Sequence, residues 1–333
     1  LDRYARHAIL PWFGTEGGKK LQNSSVLVVG CGGTGCACSS FLVRAGLGRI
    51  LLIDPDIVSL TDLHRQILYD EADIDRLSIK VDRAGKALCR ANHETEIEVI
   101  PAEFGTPNAG ALAERADLIV DCSDNFETRM LINEACLRYG TPWIHGACTG
   151  TSGIVISFPQ RGEACYRCVV DDIPGGNSQT GAAPGILGPI AGVTGSLEAA
   201  EALKMLVAPD RVRTEIIYFD SLSYTFETIK IRRRESCPAC GKRRFDFLEG
   251  RVRRQSFVAP EGTTTHIRLP GALDLLALRE RLAGTTEMEA QGKALRVVTD
   301  DAEFVLLADG AVIVRGVGDR KRAEALLDAL LES

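Results

Sequence analysis

The sequence predicts an α/β protein, a doubly wound and mostly parallel sheet with an antiparallel extension, followed by a small C-terminal α+β domain. Three observations predict it. Strand-like apolar runs alternate with helical patterns as far as residue 147. Strands then dominate up to residue 231, and a separate run of short strands and two helices occupies the last eighty or so residues.

Residues 26–56, VLVVGCGGTGCACSSFLVRAGLGRILLIDPD, organise the first unit. The β-branched run 26–29 leads into a turn containing Gly30, Gly32, Gly33 and Gly35, and a helix with apolar spacing follows at Phe41, Leu42 and Ala45. Glycines suit a tight turn that a phosphate must approach closely, and the amides and dipole of the helix N-terminus supply positive potential there. The next strand, 50–53, ends at Asp54, an acid placed to accept hydrogen bonds from a ribose. Together they predict a nucleotide site without naming the nucleotide.

The remaining elements follow in order. Residues 3–10 have helical spacing, limited by Pro11. The polar stretch 58–66 leaves the carboxyl end of the second strand, where ligands of open α/β sheets sit. A helix over 79–91 carries Lys80 in its first turn, and strand 96–100, helix 109–114, strand 117–121, helix 127–139 and strand 143–147 complete the alternation. Residues 153–158 and 215–231 read as strands, separated by the Gly- and Pro-rich loop 171–188 and one apolar helix over 190–206. After a polar linker near 241–255 come strand 264–269, helix 272–282, strands 295–299, 303–307 and 311–314, and helix 320–331. This last module has no cysteine and no phosphate turn, so a structural or partner-docking role is expected of it. The domain division is 1–248 and 249–333.

Composition excludes several classes of partner. Among 333 residues, 39 Lys and Arg face 45 Asp and Glu, and the net charge of −6 offers no general attraction to nucleic acid or an anionic membrane. The first residues have no apolar signal core and no run is long enough to span a bilayer, so a cytoplasmic protein is expected. Four of the eleven cysteines form two Cys-x-x-Cys pairs, Cys165/Cys168 and Cys237/Cys240. Four thiolates suit a closed, structural zinc site, and a redox dithiol is disfavoured because neither pair opens a helix of a thioredoxin-like unit. The other cysteines are expected as small core residues.

Arg65, Lys80 and the acid-rich turn Asp121-Cys122-Ser123-Asp124-Asn125 are the polar groups that α/β topology brings toward the nucleotide. The two cations suit a triphosphate, and the Asp124 carboxylate suits magnesium. A nicotinamide-dependent oxidoreductase, which Asp54 alone would permit, leaves these groups unexplained.

The stretches RYARHAIL, VLVVGCGGTGC, LIDPDIVSLTDLHRQ, DCSDN, CYRC, GSLEAAEALKML and CPACG occur in this order together with Lys80. In these, residues 1–248 resemble the ubiquitin-activating-enzyme-like adenylyltransferases (ThiF, MoeB and HesA), and in particular those that activate sulfur carriers. The C-terminal module is similar to an appendage of some thiazole-type members. The resemblance implies a Rossmann-like fold, a homodimer, and adenylation of the Gly-Gly carboxylate of a ubiquitin-like sulfur carrier with ATP and magnesium. It implies that Gly33 and the glycine turn hold phosphates and that Asp54 and Asp56 hold the ribose and its surroundings. Arg65, Gln66 and Lys80 would meet the triphosphate, Asp124 would hold magnesium, and Arg6 would reach into the partner's site.

The chain departs from the family pattern twice. Asp62 stands where Asn is usual, placing an anion near the phosphates unless it binds metal or turns away, and Gly181 stands where many members carry a loop cysteine. Without that thiol the expected chemistry stops at the adenylate, with sulfur transfer left to a separate sulfurtransferase. The competing readings are a catalytically silent scaffold of the same fold and adenylation of a peptide or a tRNA-linked carboxylate.

Overall fold

The computed structural model describes residues 3–74, 77–160, 162–170, 185–252, 256–258, 263–283 and 287–332. Two short helices, α1 (Ala5–Ala8) and α2 (Gly14–Gln22), precede the alternating unit. That unit runs β1 (Ser25–Val29), α3 (Gly33–Ala45), β2 (Arg49–Ile53), α4 (Lys80–Ala91), β3 (Glu96–Ile100), α5 (Ala109–Glu114), β4 (Leu118–Asp121), α6 (Phe126–Tyr139) and β5 (Trp143–Thr149). Then come β6 (Ser152–Phe158), α7 (Tyr166–Val169), α8 (Gly188–Val207), β7 (Glu215–Asp220) and β8 (Thr225–Lys230). The eight strands form one sheet in the order β3-β2-β1-β4-β5-β6-β7-β8, with the first five parallel and β6 to β8 antiparallel. This is the doubly wound sheet with an antiparallel extension that the sequence predicts.

The central strands are buried on both faces, as a parallel sheet covered by helices requires: Val26, Leu27, Val28, Ile50, Leu51 and Leu52 are all 0% exposed. Each such Leu, Ile or Val contributes about 1.5–3 kcal/mol on burial. Helix α8 packs along α3 over one face.

At the N-terminus the structure differs from the expected helix. The pattern over 3–10 yields only the four residues of α1, because none of them is buried and Ile9 is 70% exposed. Without an apolar face against the core, so short a helix does not hold. Helix α2 went unpredicted because Gly14, Gly17 and Gly18 oppose a helix locally. Tertiary packing overrides them, with Leu21 fully buried and Gly17 so close to Val207 that a Cβ would lie 2.6 Å from its side chain.

The second sheet comprises β9 (Ser256–Val258), β10 (Thr264–Arg268), β11 (Glu287–Gln291), β12 (Ala294–Val298), β13 (Glu303–Leu307) and β14 (Ala311–Arg315), in the order β11-β12-β13-β14-β10-β9. Its helices are α9 (Leu275–Arg281) and α10 (Arg320–Glu332). The period of two sends alternate residues to different cores. Phe304, Leu306, Val312 and Val314 join Ala323, Leu327 and Leu330 in a core of the module's own. Val305, Leu307, Ala311 and Ile313 belong instead to the cluster that contains Ile57, Leu77 and Ile79 of the large unit. Leu77 N also donates to Glu289 Oε2 at 3.0 Å. The module's sheet therefore lies against the large unit, over the carboxyl ends of β2 and β3. Among the described residues no helix is long and apolar enough to cross a membrane.

Candidate active site

The glycine turn forms because backbone must pass where side chains cannot. Gly30 has φ +99°, and a Cβ there would lie 2.6 Å from the Cys122 carbonyl. At Gly35, inside the first turn of α3, a Cβ would lie 2.0 Å from the Gly30 carbonyl. Gly35 thus serves close packing of helix on strand. Gly30, Gly32 and Gly33 line a cavity of about 970 Å³ outside the carboxyl ends of the parallel strands.

Asp54, at the end of β2, accepts the Cys31 amide on Oδ2 and the Asp56 amide on Oδ1, both at 2.7 Å. These bonds tie the acid to the glycine turn. Burial first, and then the charge of Asp56, push its carboxyl above the usual range, against the pull of Lys80 and the two amides. Asp56 goes the other way: burial would raise it, but Lys80, followed by His266, holds it down. Lys80 begins α4 and is 6% exposed, with Nζ 3.0 Å from Asp56 Oδ2 and 3.7 Å from Asp62 Oδ2. Burial alone would lower the lysine's pKa, but Asp56, Asp54 and Asp62 outweigh it and keep the ammonium charged.

Asp62 turns inward. Its Oδ2 accepts the Ser59 amide at 3.0 Å and the Ser59 hydroxyl at 2.8 Å, closing a capping box on a single 3-10 turn. Its Oδ1 accepts Gln66 Nε2 at 2.8 Å and Arg65 Nη2 at 3.1 Å. The acid that departs from the family pattern is thus neutralised by Lys80 and Arg65 and holds Gln66 in place. Gln66 is 2% exposed, and among the described residues its Oε1 is buried without a hydrogen-bond partner.

Asp124 and Asn125 follow β4. Asn125 caps α6, accepting the Thr128 amide at 2.9 Å. Asp124 is exposed on the cavity wall, with Asn125 Nδ2 3.4 Å from its Oδ1. Arg65, Gln66, Lys80, Asp54, Asp56 and Asp62 all line the same cavity. Arg6 does not; it lies exposed on α1.

Of the acid-rich turn that the sequence brings toward the nucleotide, Asp121 is fully buried under the floor, with Oδ2 2.7 Å from His145 Nδ1. Sequence reasoning missed His145 and several other polar groups around the cavity. Burial pulls the His145 pKa down, with Asp121 pulling it up. Glu198 of α8 is 0% exposed, and Cys122 Sγ donates to its carboxylate at 3.6 Å. Burial, then the Cys122 thiol, push Glu198 well above the carboxylate range. An acid inside an apolar helix pattern was the available signal. His266, Arg268 and Arg315 of the C-terminal module also line the cavity, in strands whose local pattern carries no such signal.

The four cysteines of the two pairs do come together. Their sulfurs lie within 4.8 Å of one another, with Cys165–Cys237 at 3.7 Å and Cys168–Cys240 at 3.4 Å. Four sulfurs about a tetrahedral zinc stand ~3.8 Å apart, so the set fits that ion. Cys165 caps the four-residue α7, which lies in no thioredoxin-like unit. Of the remaining cysteines, Cys31, Cys36, Cys38, Cys122 and Cys136 are buried, Cys148 is half-buried and Cys89 is exposed. The loop 171–188 and Gly181 lie outside the described residues, apart from 185–188.

A glycine turn at a helix N-terminus, with two cations and an exposed carboxylate lining the same cavity, is the arrangement of an α/β nucleotide-binding protein. The family is equally definite. The chain belongs to the ThiF family, whose model matches residues 4–239. It is similar to the sulfur carrier protein ThiS adenylyltransferase of Bacillus subtilis, at 29% identity over 97% of both chains. It is 38% identical to the adenylyltransferase and sulfurtransferase MOCS3 of Anopheles gambiae over 73% of this chain and 55% of the relative, about half that protein's length. Among solved structures, E. coli MccB matches with a TM-score of 0.64 at 26% identity over 73% of each chain. MccB has also been solved with ATP.

Proposed function

We propose that the protein is an ATP- and magnesium-dependent adenylyltransferase acting on the C-terminal Gly-Gly carboxylate of a ubiquitin-like sulfur carrier. The observation that carries this reading is the convergence of the Gly30–Gly33 turn, Arg65, Lys80 and Asp124 on one cavity. Relatives named as sulfur carrier adenylyltransferases supply the substrate class.

In the reaction a carboxylate oxygen of the carrier attacks the α-phosphorus in line. The bond to the bridging oxygen breaks, and pyrophosphate leaves with that electron pair. The turn amides and Gln66 orient the phosphates, and Lys80 and Arg65 offset charge as it moves onto the leaving group. Asp124 would hold magnesium, which lowers the charge of the triphosphate when bound. No protein nucleophile is required.

Chemistry that stops at the adenylate is supported by the absence of cysteine from 171–188. Cys148 lines the cavity, but burial pushes its thiol up to about 11, so it is protonated near neutrality. Sulfur delivery then falls to a separate sulfurtransferase. We also read the chain as a cytoplasmic homodimer in which Arg6 serves the partner's site, with the division 1–248 and 249–333.

The test is ATP–pyrophosphate exchange with purified protein, with and without Gly-Gly carriers from the same genome. Carrier-dependent exchange supports the reading. ATP binding without exchange for any carrier moves the substrate to a peptide or tRNA-linked carboxylate, and no ATP binding leaves a silent scaffold.

The four-cysteine site would hold zinc and clamp the segment after β8 to α7. Cys168→Ser is expected to lower zinc content and the unfolding midpoint by roughly 10 °C before affecting turnover of the folded fraction. Metal analysis and thermal melts check this; a zinc-free wild type with an unchanged midpoint would sink the assignment.

A further inference from the structure

Residues of β10 and β14 alternate between two environments. Ile267, Val312 and Val314 enter the module's own core, whereas His266, Arg268, Ile313 and Arg315 lie on the other face and line the nucleotide cavity. Register sets His266 opposite Ile313 and Arg268 opposite Ala311. Two guanidiniums and an imidazole on one strand pair thus meet the segments that follow β2 and β3. His266 Nε2 lies 3.9 Å from Asp56 Oδ1, an oxygen buried without a hydrogen bond among the described residues. Arg315 donates to the Ile57 carbonyl at 3.0 Å. Arg268 Nη1 reaches Asp309 at 2.8 Å and Glu103 at 3.5 Å, and Asp309 accepts the Glu103 amide at 3.3 Å.

The two poles of the cavity differ in chemistry. Phosphates belong at the glycine turn, beside the N-terminus of α3, with Arg65, Lys80 and Asp124. A ribose belongs beyond Asp54, so the base points away from the turn, toward the ends of β2 and β3. That is the pole the C-terminal module covers.

We propose that the β10–β14 face is the nucleoside-binding wall of the site, with His266 donating to a ribose hydroxyl beside Asp56 and the Arg268 guanidinium lying against the base. This rests on the ATP reading above and departs from a docking role for the module. A guanidinium plane held at its edge by Glu103 and Asp309 keeps its face available for an aromatic ring. The family model ends at residue 239, before these strands, so the wall is an addition to what that model covers.

The experiment is calorimetric binding to the full chain, without carrier, of three probes: ATP, AMP and inorganic tripolyphosphate. His266→Gln, His266→Ala, Arg268→Lys and Arg268→Ala are compared with wild type. Expected is about a tenfold loss of ATP and AMP affinity in each alanine variant, with tripolyphosphate affinity retained. Arg268→Lys keeps the ion pairs with Glu103 and Asp309 and loses the planar face, so it should still weaken ATP and AMP. ATP affinity within twofold of wild type in all variants would overturn the proposal. So would an equal loss for all three probes, or recovery of ATP affinity in Arg268→Lys, since either indicates cavity shape rather than nucleoside contact. A wild type that binds no ATP defeats the adenylyltransferase reading itself, which separates the two failures.

Discussion

Asp124→Ala is expected to reduce carrier-dependent ATP–pyrophosphate exchange by roughly 10²–10³-fold while leaving the unfolding midpoint unchanged. The size of the effect follows from the place of the carboxylate: it is exposed on the cavity wall, and, like the buried Asp54, it has no cation within ion-pair distance among the described residues. Among the described residues its one side-chain hydrogen bond, from Asn125 at 3.4 Å, is long, so removing the carboxylate leaves no buried partner stranded. Excess magnesium should restore part of the rate if the loss is one of metal affinity. Exchange at the wild-type rate would show that the metal is held elsewhere.

Lys80→Ala is expected to fail in two ways at once. Exchange should fall by about 10²-fold, because the charge offered to the leaving pyrophosphate is gone. Stability should fall by about 3–5 kcal/mol, because Asp56 and Asp62 lose the buried ammonium that pairs with them at 3.0 and 3.7 Å. Urea unfolding separates the two effects, and the double variant Lys80→Ala/Asp56→Asn should recover stability without recovering exchange. A single variant as stable as wild type would mean that the Asp56 pairing contributes little. Lys80 thus has to be read with its acids, whereas Asp124 stands almost alone.

Much of the site was legible residue by residue. The turn of Gly30, Gly32 and Gly33, the acid at Asp54 and the cation at Lys80 each occupy a place that strand and helix periodicity locates within a residue or two. The paired cysteines carried their own spacing, although their convergence across the long stretch between them depends on how β6, β7 and β8 return. Gly35 reads identically to its neighbours in sequence, yet contact with the Gly30 carbonyl shows its task to be packing. Asp62 looked like an anion intruding on phosphates, and only its bonds to Ser59, Gln66 and Arg65 reveal a scaffold.

By itself, the sequence determined the alternating sheet, the glycine turn, the acid at the second strand's end and the two Cys-x-x-Cys pairs. These rest on local backbone requirements and on periods of 2 and 3.6, which act over a few residues. Only the tertiary structure decided that His266, Arg268 and Arg315 stand over the nucleotide cavity, and that Asp121, His145 and Glu198 lie buried beneath it. The reason is physical: the continuous apolar runs of β13 and β14 specify that both faces are covered, but what covers a face is settled by long-range packing. Here that packing joins Val305, Leu307 and Ile313 to Ile57 and Ile79, which are far away in the chain.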